Sequence, residues 1–235
     1  MEFTALERMD TTELARRHDR CREILARRHP DAQGLMVFSA LNIYYLTGTL
    51  TSGVFWLPLV GEPVLLLRRG MARARLESPL ERIFEFRSYG DVTGLLAEAG
   101  TPLPVVVHAE TAGLSWNLGQ LLSSRLSANT FVPADMVLSE ARSVKSEWEL
   151  NKLRLAGARH ALSLYELLPQ RIAPGMTERD VSHKAWEVFF AQGHSGQLRM
   201  SGFGEEIFLG HVAAGDSANY PSRYNGPVGL RGEHP

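Results

Sequence analysis

The residues of this chain that could do chemistry are few and scattered. Eight histidines occur, His18, His29, His108, His160, His183, His194, His211 and His234. No two of them stand four apart, as paired ligands on one helix face would. Gly215-Asp216-Ser217 has the look of a nucleophile block, but such a serine needs a base oriented by a carboxylate, and only Glu233-His234 follow it. A polar turn is the simpler reading. Gly193-His194-Ser195-Gly196 is one residue short of a G-x-S-x-G elbow and follows a helical pattern instead of a strand, so it reads as a helix terminus. Gly202-Phe203-Gly204 lacks both the third glycine and the preceding strand of a dinucleotide fingerprint. Cys21, inside a helical stripe with no histidine, is expected to be a packed thiol. His18 and His29 are expected on a solvated surface, and His108 as a hydrogen-bonded histidine of the core or its rim. The spacing assigns no catalytic residue and no metal ligand. Candidates for substrate contact from composition are His211 and His234, in the stretch from Gly202 onward where seven glycines and three prolines favour loops around a cleft.

Such groups act only where folded elements place them. The helix expected over Thr11–Arg28 starts at Asp10 with Glu13 three residues on. Leu14, Arg17, Cys21, Ile24, Leu25 and Arg28 give it a thin stripe, the mark of a surface helix with one apolar edge. Strands are expected over residues 34–39, 53–58, 64–67, 82–87, 104–108 and 130–132, with helices over 71–80, 91–99 and 114–126. Val60-Gly61-Glu62-Pro63 is a turn that makes 53–67 a hairpin, so the α/β sheet is mixed. Near residue 135 the texture changes. A long helix is expected over 145–168, entered through Ser146 and Glu149, with Leu150, Leu153, Gly157 and Leu164 on one face and Trp148, Leu155 and Leu162 widening it. Pro174-Gly175 breaks it, and a second helix runs from Thr177 to Gly193. Only 207–209 and 211–213 then resemble strands. Two long helices with broad apolar faces and little sheet to cover them make the second domain look cut off, with a boundary within 139–146.

Composition excludes several classes. The 235 residues are 44% hydrophobic and 22% charged, which is globular material and not a disordered chain. Twenty-five Lys and Arg against 26 Asp and Glu leave a net charge of −1, so no global field attracts nucleic acid. The longest apolar runs fall short of the ~20 residues of a membrane helix. One cysteine cannot close an internal disulfide, and the N-terminus has no apolar leader. These features lead us to expect a cytoplasmic protein.

Four segments in order carry a resemblance. Asn42-Ile43-Tyr44-Tyr45-Leu46-Thr47-Gly48 is similar to an N-x-x-Y-L-T-G turn. Arg142, Lys145, Ser146, Glu149 and Leu150 are similar to an R-x-x-K-S-x-x-E-[IL] helix start. Pro174-Gly175-Met176-Thr177-Glu178 resembles a P-G-x-T-E break, and 211–215 resembles the segment before a substrate-binding loop. Together they resemble the creatinase/prolidase family, which includes Xaa-Pro aminopeptidases and prolidases. The resemblance implies a creatinase/prolidase-type N-terminal domain with a mixed β-sheet and flanking helices over 1–140. An incomplete α+β pita-bread domain would follow over 141–235. It further implies a parent metallopeptidase that cleaves the bond before proline in short peptides, through two divalent ions (Mn, Co or Zn) held by two Asp, one His and two Glu. None of those ligands is matched within this chain, which is therefore expected to bind no metal and to be inactive alone. A homodimer is implied, with neither nucleic acid nor membrane as partner. Ser222 stands where the family often has a substrate-binding His, and the resemblance makes Arg223 and Tyr224 beside it, with His211 and His234, the candidates for substrate contact. A non-catalytic peptide-binding relative and a metal-independent creatinase-like amidinohydrolase are the alternatives.

Overall fold

Alternation along three adjacent strands decides the architecture of the first half. The computed structural model describes residues 8–199, 206–210 and 212–219, and the chain divides into two units, Met1–Lys145 and Ser146–Pro235. The first unit runs α1 (Thr11–Arg28), β1 (Gly34–Val37), α2 (Ala40–Thr47), β2 (Gly53–Pro58), β3 (Val64–Leu67), α3 (Met71–Glu77), β4 (Ile83–Glu85), α4 (Asp91–Glu98), β5 (Val106–Ala109), α5 (Trp116–Arg125), β6 (Thr130–Pro133) and α6 (Asp135–Ser143). The sheet order is β4-β3-β2-β1-β5-β6. β2 is antiparallel to β1 and β3, and every other pairing is parallel. The hairpin and the mixed α/β sheet are as expected.

Both faces of the sheet are covered. Leu35, Val37, Phe55, Leu57, Leu65 and Leu67 point to one side, into a core shared with α1, α2, α3 and α6. Met36, Val54, Trp56, Val64 and Leu66 point to the other, against α4 and α5. This is the period-two division a strand imposes, with apolar residues on both phases because helices lie on both faces. Trp56 is anchored by Nε1–H donating to Thr101 Oγ1 at 2.9 Å.

Three expectations are corrected in this unit. Residues 42–48 form most of helix α2 and its stop, not a turn; Gly48 takes φ +79° where the helix ends. The helix α6 that follows β6 was not foreseen. And α1 is more than a surface helix with one edge: Glu13, Arg17 and His18 are buried beside Leu14, Cys21, Ile24 and Leu25. The reason lies in the end of α2, whose last four carbonyls need donors. Gly48 N–H serves Tyr44, Arg17 Nη1 serves Tyr45 at 2.9 Å, the His18 ring serves Leu46 at 2.7 Å, and Ser78 Oγ serves Thr47 at 2.5 Å. His18 is buried for that purpose and is not solvated. Arg17 is balanced by Glu13 at 2.7 Å, and its guanidinium lies 4.4 Å from the centre of the Tyr45 ring.

The second unit is built differently. It contains α7 (Glu147–Ala161), a π-helical turn over Leu162–Leu167, a short 3-10 turn over Pro169–Arg171, α8 (Glu178–Ala191), and an antiparallel pair β7 (Gln197–Arg199) and β8 (Glu206–Phe208). Ser146 and Glu149 close a reciprocal cap on α7, and Thr177 and Asp180 do the same on α8. α7 buries no residue at all. Ala185 and Val188 are the unit's only buried hydrophobic side chains among the described residues, and neither of the two hydrophobic cores includes any residue of this unit. Leu153 and Leu155 are each about half exposed, and Tyr165 is 81% exposed.

Candidate functional site

Open α/β sheets take their ligands at the carboxyl edge, where the helix after one strand and the helix after its neighbour leave to opposite faces. In the first unit that point lies between β1 and β5, because α2 packs on one face and α5 on the other. It is filled by the chain itself. Glu110, the residue after β5, is buried, and its Oε2 accepts from the backbone N–H of Phe38 at 2.9 Å and Ser39 at 2.8 Å. Its Oε1 accepts from Asn42 Nδ2 at 2.5 Å, and Asn42 Oδ1 accepts from Arg142 Nη1 at 2.9 Å. A carboxylate thus sits on the N-terminus of α2 as a bound anion would. Asp135 repeats the device next door, accepting from the N–H groups of Thr111 and Ala112, each at 2.8 Å. Asn42 and Arg142 open two of the sequence motifs, and the structure joins them directly, with Glu110 on the other side of the Asn42 amide. Glu110 was missed in the sequence. Its signal is an acid directly after a buried-type strand, with a helix start as the group it could serve.

Two groups on the other face of β5 have no catalytic geometry. His108 is buried, its ring lies 4.7 Å from that of His29, and its Nε2 is 4.0 Å from Asp31 Oδ1. Nδ1 has no partner, so the hydrogen-bonded histidine expected there is realised only in its burial. Burial, with the neighbouring His29, pushes its pKa down, against Asp31, so the ring is held neutral. Cys21 is fully buried, and loss of water pushes its thiol up to about 12, which leaves it inert as a nucleophile.

In the second unit, α7 and α8 flank a groove of about 510 Å³ lined by Leu153, Gly157, His160, Phe189 and His194 among others. His160 stacks on Phe189 with ring centres 6.0 Å apart, and His194 Nδ1 accepts from Gly196 N–H at 2.8 Å. Among the described residues no carboxylate lines the groove, so these present a mainly apolar packing surface and no acid-base pair. Glu178, the last residue of the P-G-x-T-E segment, accepts from Ala214 N–H at 2.7 Å. That bond ties the start of α8 to the stretch expected to precede a substrate loop.

Of the four candidate contact residues, His211, Arg223, Tyr224 and His234 all lie outside the described residues. Residues 212–213 carry no strand, unlike the expectation for 211–213. Gly193 to Gly196 does close a helix, and the chain turns at Gly215 with φ +59°. Among the described residues no three His, Cys, Asp or Glu side chains come together to hold a metal ion. The described residues therefore do not fit a dinuclear centre. No helix among them is long and apolar enough to cross a membrane.

Comparison with known proteins places this geometry. Residues 17–144 match the family model described as the creatinase/prolidase N-terminal domain. A probable dipeptidase PepE of Mycobacterium tuberculosis is 30% identical over 176 residues, covering 69% of this chain and 45% of that protein. The crystal structure of dipeptidase PepE from Mycobacterium ulcerans superposes with a TM-score of 0.65 at 24% identity, over 82% of this chain and 53% of that one. The prolidase of Pyrococcus horikoshii gives 0.63 at 18% identity, over 86% and 56%. These likenesses show the fold. The chain spans about half the length of the relatives it matches.

Proposed function

We propose, from the premise that this chain belongs to the creatinase/prolidase N-terminal domain family, that it forms the N-terminal domain and the opening helical layer of the catalytic domain of a Xaa-Pro metallopeptidase. The reaction is hydrolysis of the bond before proline in short peptides. The observation that supports this reading is how little the second unit buries. Among the described residues, α7, the π-helical turn after it and α8 leave Leu153, Leu155 and Tyr165 exposed and bury only Ala185 and Val188 of their hydrophobic side chains, while the relatives are about twice as long. An apolar helix face of that extent is stable when another layer covers it. In this reading the covering layer carries the ligands for two divalent ions, Mn, Co or Zn, and the 235 residues alone are inactive. The N-terminal domain supports a cytoplasmic homodimer and limits access to short peptides; neither nucleic acid nor membrane is a partner. Glu178 positions the segment leading to the substrate loop through its bond to Ala214.

The test is an assay of the native gene product with Mn and a Xaa-Pro dipeptide. Turnover that a chelator abolishes is the expected result. Peptide binding without turnover would replace this reading with a binding-only relative, the direction in which Ser222 points. Amidinohydrolase activity indifferent to chelator would replace it with a creatinase-like enzyme.

A further inference from the structure

The carboxyl edge of the sheet has a second concavity, on the far side of β1 from Glu110, and its chemistry is of the opposite sign. A cavity of about 830 Å³ is lined by Arg68, Arg69 and Arg87, with Ser52, Phe86 and Tyr89 among its other walls. The strand register builds it. Leu67 pairs with Gly53 on β2 and with Glu85 on β4, and Phe86 N–H donates to Leu67 O at 2.9 Å. The residues just past the ends of β3 and β4, and those just before β2, are therefore brought together at one edge: Arg68 and Arg69 between Arg87 on one side and Ser52 on the other.

The three guanidinium groups differ from several others in this chain. Arg16, Arg17, Arg22, Arg27, Arg28 and Arg73 are each tied to a carboxylate. Among the described residues, Arg68, Arg69 and Arg87 make no ion pair and no side-chain hydrogen bond. Asp91, beside Arg87, does not neutralise the site by direct pairing, because its Oδ2 accepts from the backbone N–H groups of Arg87 and Ser88, at 3.0 and 2.8 Å. Three like charges with one nearby carboxylate, Asp91, still repel one another, and an anion with several oxygens relieves them further. Phe86 and Tyr89, with ring centres 5.3 Å apart, give the same cavity an aromatic wall.

We propose that this cavity binds a small phosphorylated ligand, with Arg68, Arg69 and Arg87 gripping a diphosphate-type group. The concave, aromatic-walled shape suits a small molecule better than a polymer, and the chain's net charge of −1 offers no extended basic track for nucleic acid. The site is independent of the peptidase reading and stands or falls apart from it.

The probe is inorganic pyrophosphate, titrated calorimetrically into the full chain at low ionic strength, with ADP and inorganic phosphate in parallel. Saturable one-site binding is expected, tighter for pyrophosphate than for phosphate. Arg68→Gln and Arg87→Gln should each weaken it about tenfold or more, while Arg125→Gln, outside the cavity, leaves it unchanged. All three cavity arginines are exposed, so the variants should keep the wild-type unfolding midpoint. ADP binding as tightly as pyrophosphate would identify a nucleotide-type ligand, and weaker ADP binding would identify the free diphosphate. No saturation by about 10 mM pyrophosphate, or equal weakening in Arg125→Gln, overturns the proposal. Arginine-dependent binding seen only with a random RNA oligomer does so too.

Discussion

Replacing Glu110 by Ala removes the carboxylate that closes the crevice between β1 and β5. Three hydrogen bonds are lost, from Phe38 N–H, Ser39 N–H and Asn42 Nδ2. A hydrogen bond to a charged group is worth about 1.5–3 kcal/mol net. Phe38 is buried, so its N–H is left without a partner, whereas Ser39 is half-buried and water replaces part of what it loses. Weighing these, the variant should lose about 3–5 kcal/mol, a large share of the 5–15 kcal/mol typical of a domain. The assay is urea unfolding of the full chain, followed by far-UV circular dichroism. The main transition reports the first unit, because that unit holds both cores. With an m-value of about 2 kcal/mol/M, the midpoint should fall by about 1.5–2.5 M. Glu110→Gln keeps one carbonyl acceptor and should fall about half as far. A double-mutant cycle with Asn42→Ala should show coupling above about 0.5 kcal/mol. A shift below about 0.5 M for Glu110→Ala would refute the reasoning, since it would mean the carboxylate's bonds are no better than those to water.

Three further outcomes follow from the same packing. In Gly34→Ala the new Cβ would meet the Trp56 ring at 2.5 Å and Leu57 O at 2.8 Å, so overpacking should cost about 1–3 kcal/mol, read as a lower thermal midpoint. His18 and His108 are both held below their ordinary value of 6.5, first of all by burial. The unfolded chain then takes up protons that the folded chain refuses, so their contribution is complete above about pH 6.5 and shrinks as pH falls below it. The slope is at most about 1.4 kcal/mol per pH unit for each histidine. Urea midpoints between pH 5 and 8 test this apart from the carboxylates, which titrate lower. Cys21 should resist a thiol reagent in the native chain and react at the rate of unfolding, which timed labelling with and without urea will show.

The sequence was most legible where side-chain period and burial agree. The alternation of Leu35, Met36 and Val37, and of Leu65, Leu66 and Leu67, is absorbed by a sheet covered on both faces, so the α/β reading survives intact. It was least legible where polar residues serve distant backbone groups. His18 looks like a surface residue, and the charge of Arg17 gives its stripe position no purpose, until the carbonyl end of α2 lies over them, 28 positions away in sequence. Asn42 marks a motif, but its meaning depends on Glu110 and Arg142, which no local spacing connects to it. The cavity arginines were invisible for a similar reason. Arg68 and Arg87 are neighbours only through the β3–β4 register. The candidate contact residues from His211 onward rest on composition and resemblance alone.

That α7 and α8 are one layer of a larger shell is tested most directly by hydrogen exchange on the 235-residue chain. Amides of β1, β2 and β3 should exchange only with global unfolding, while those of α7 and α8 exchange on the order of a hundredfold or more faster, because little packing holds them closed. Equal protection of α7, α8 and the central strands would contradict it, since the helices would then possess a core of their own.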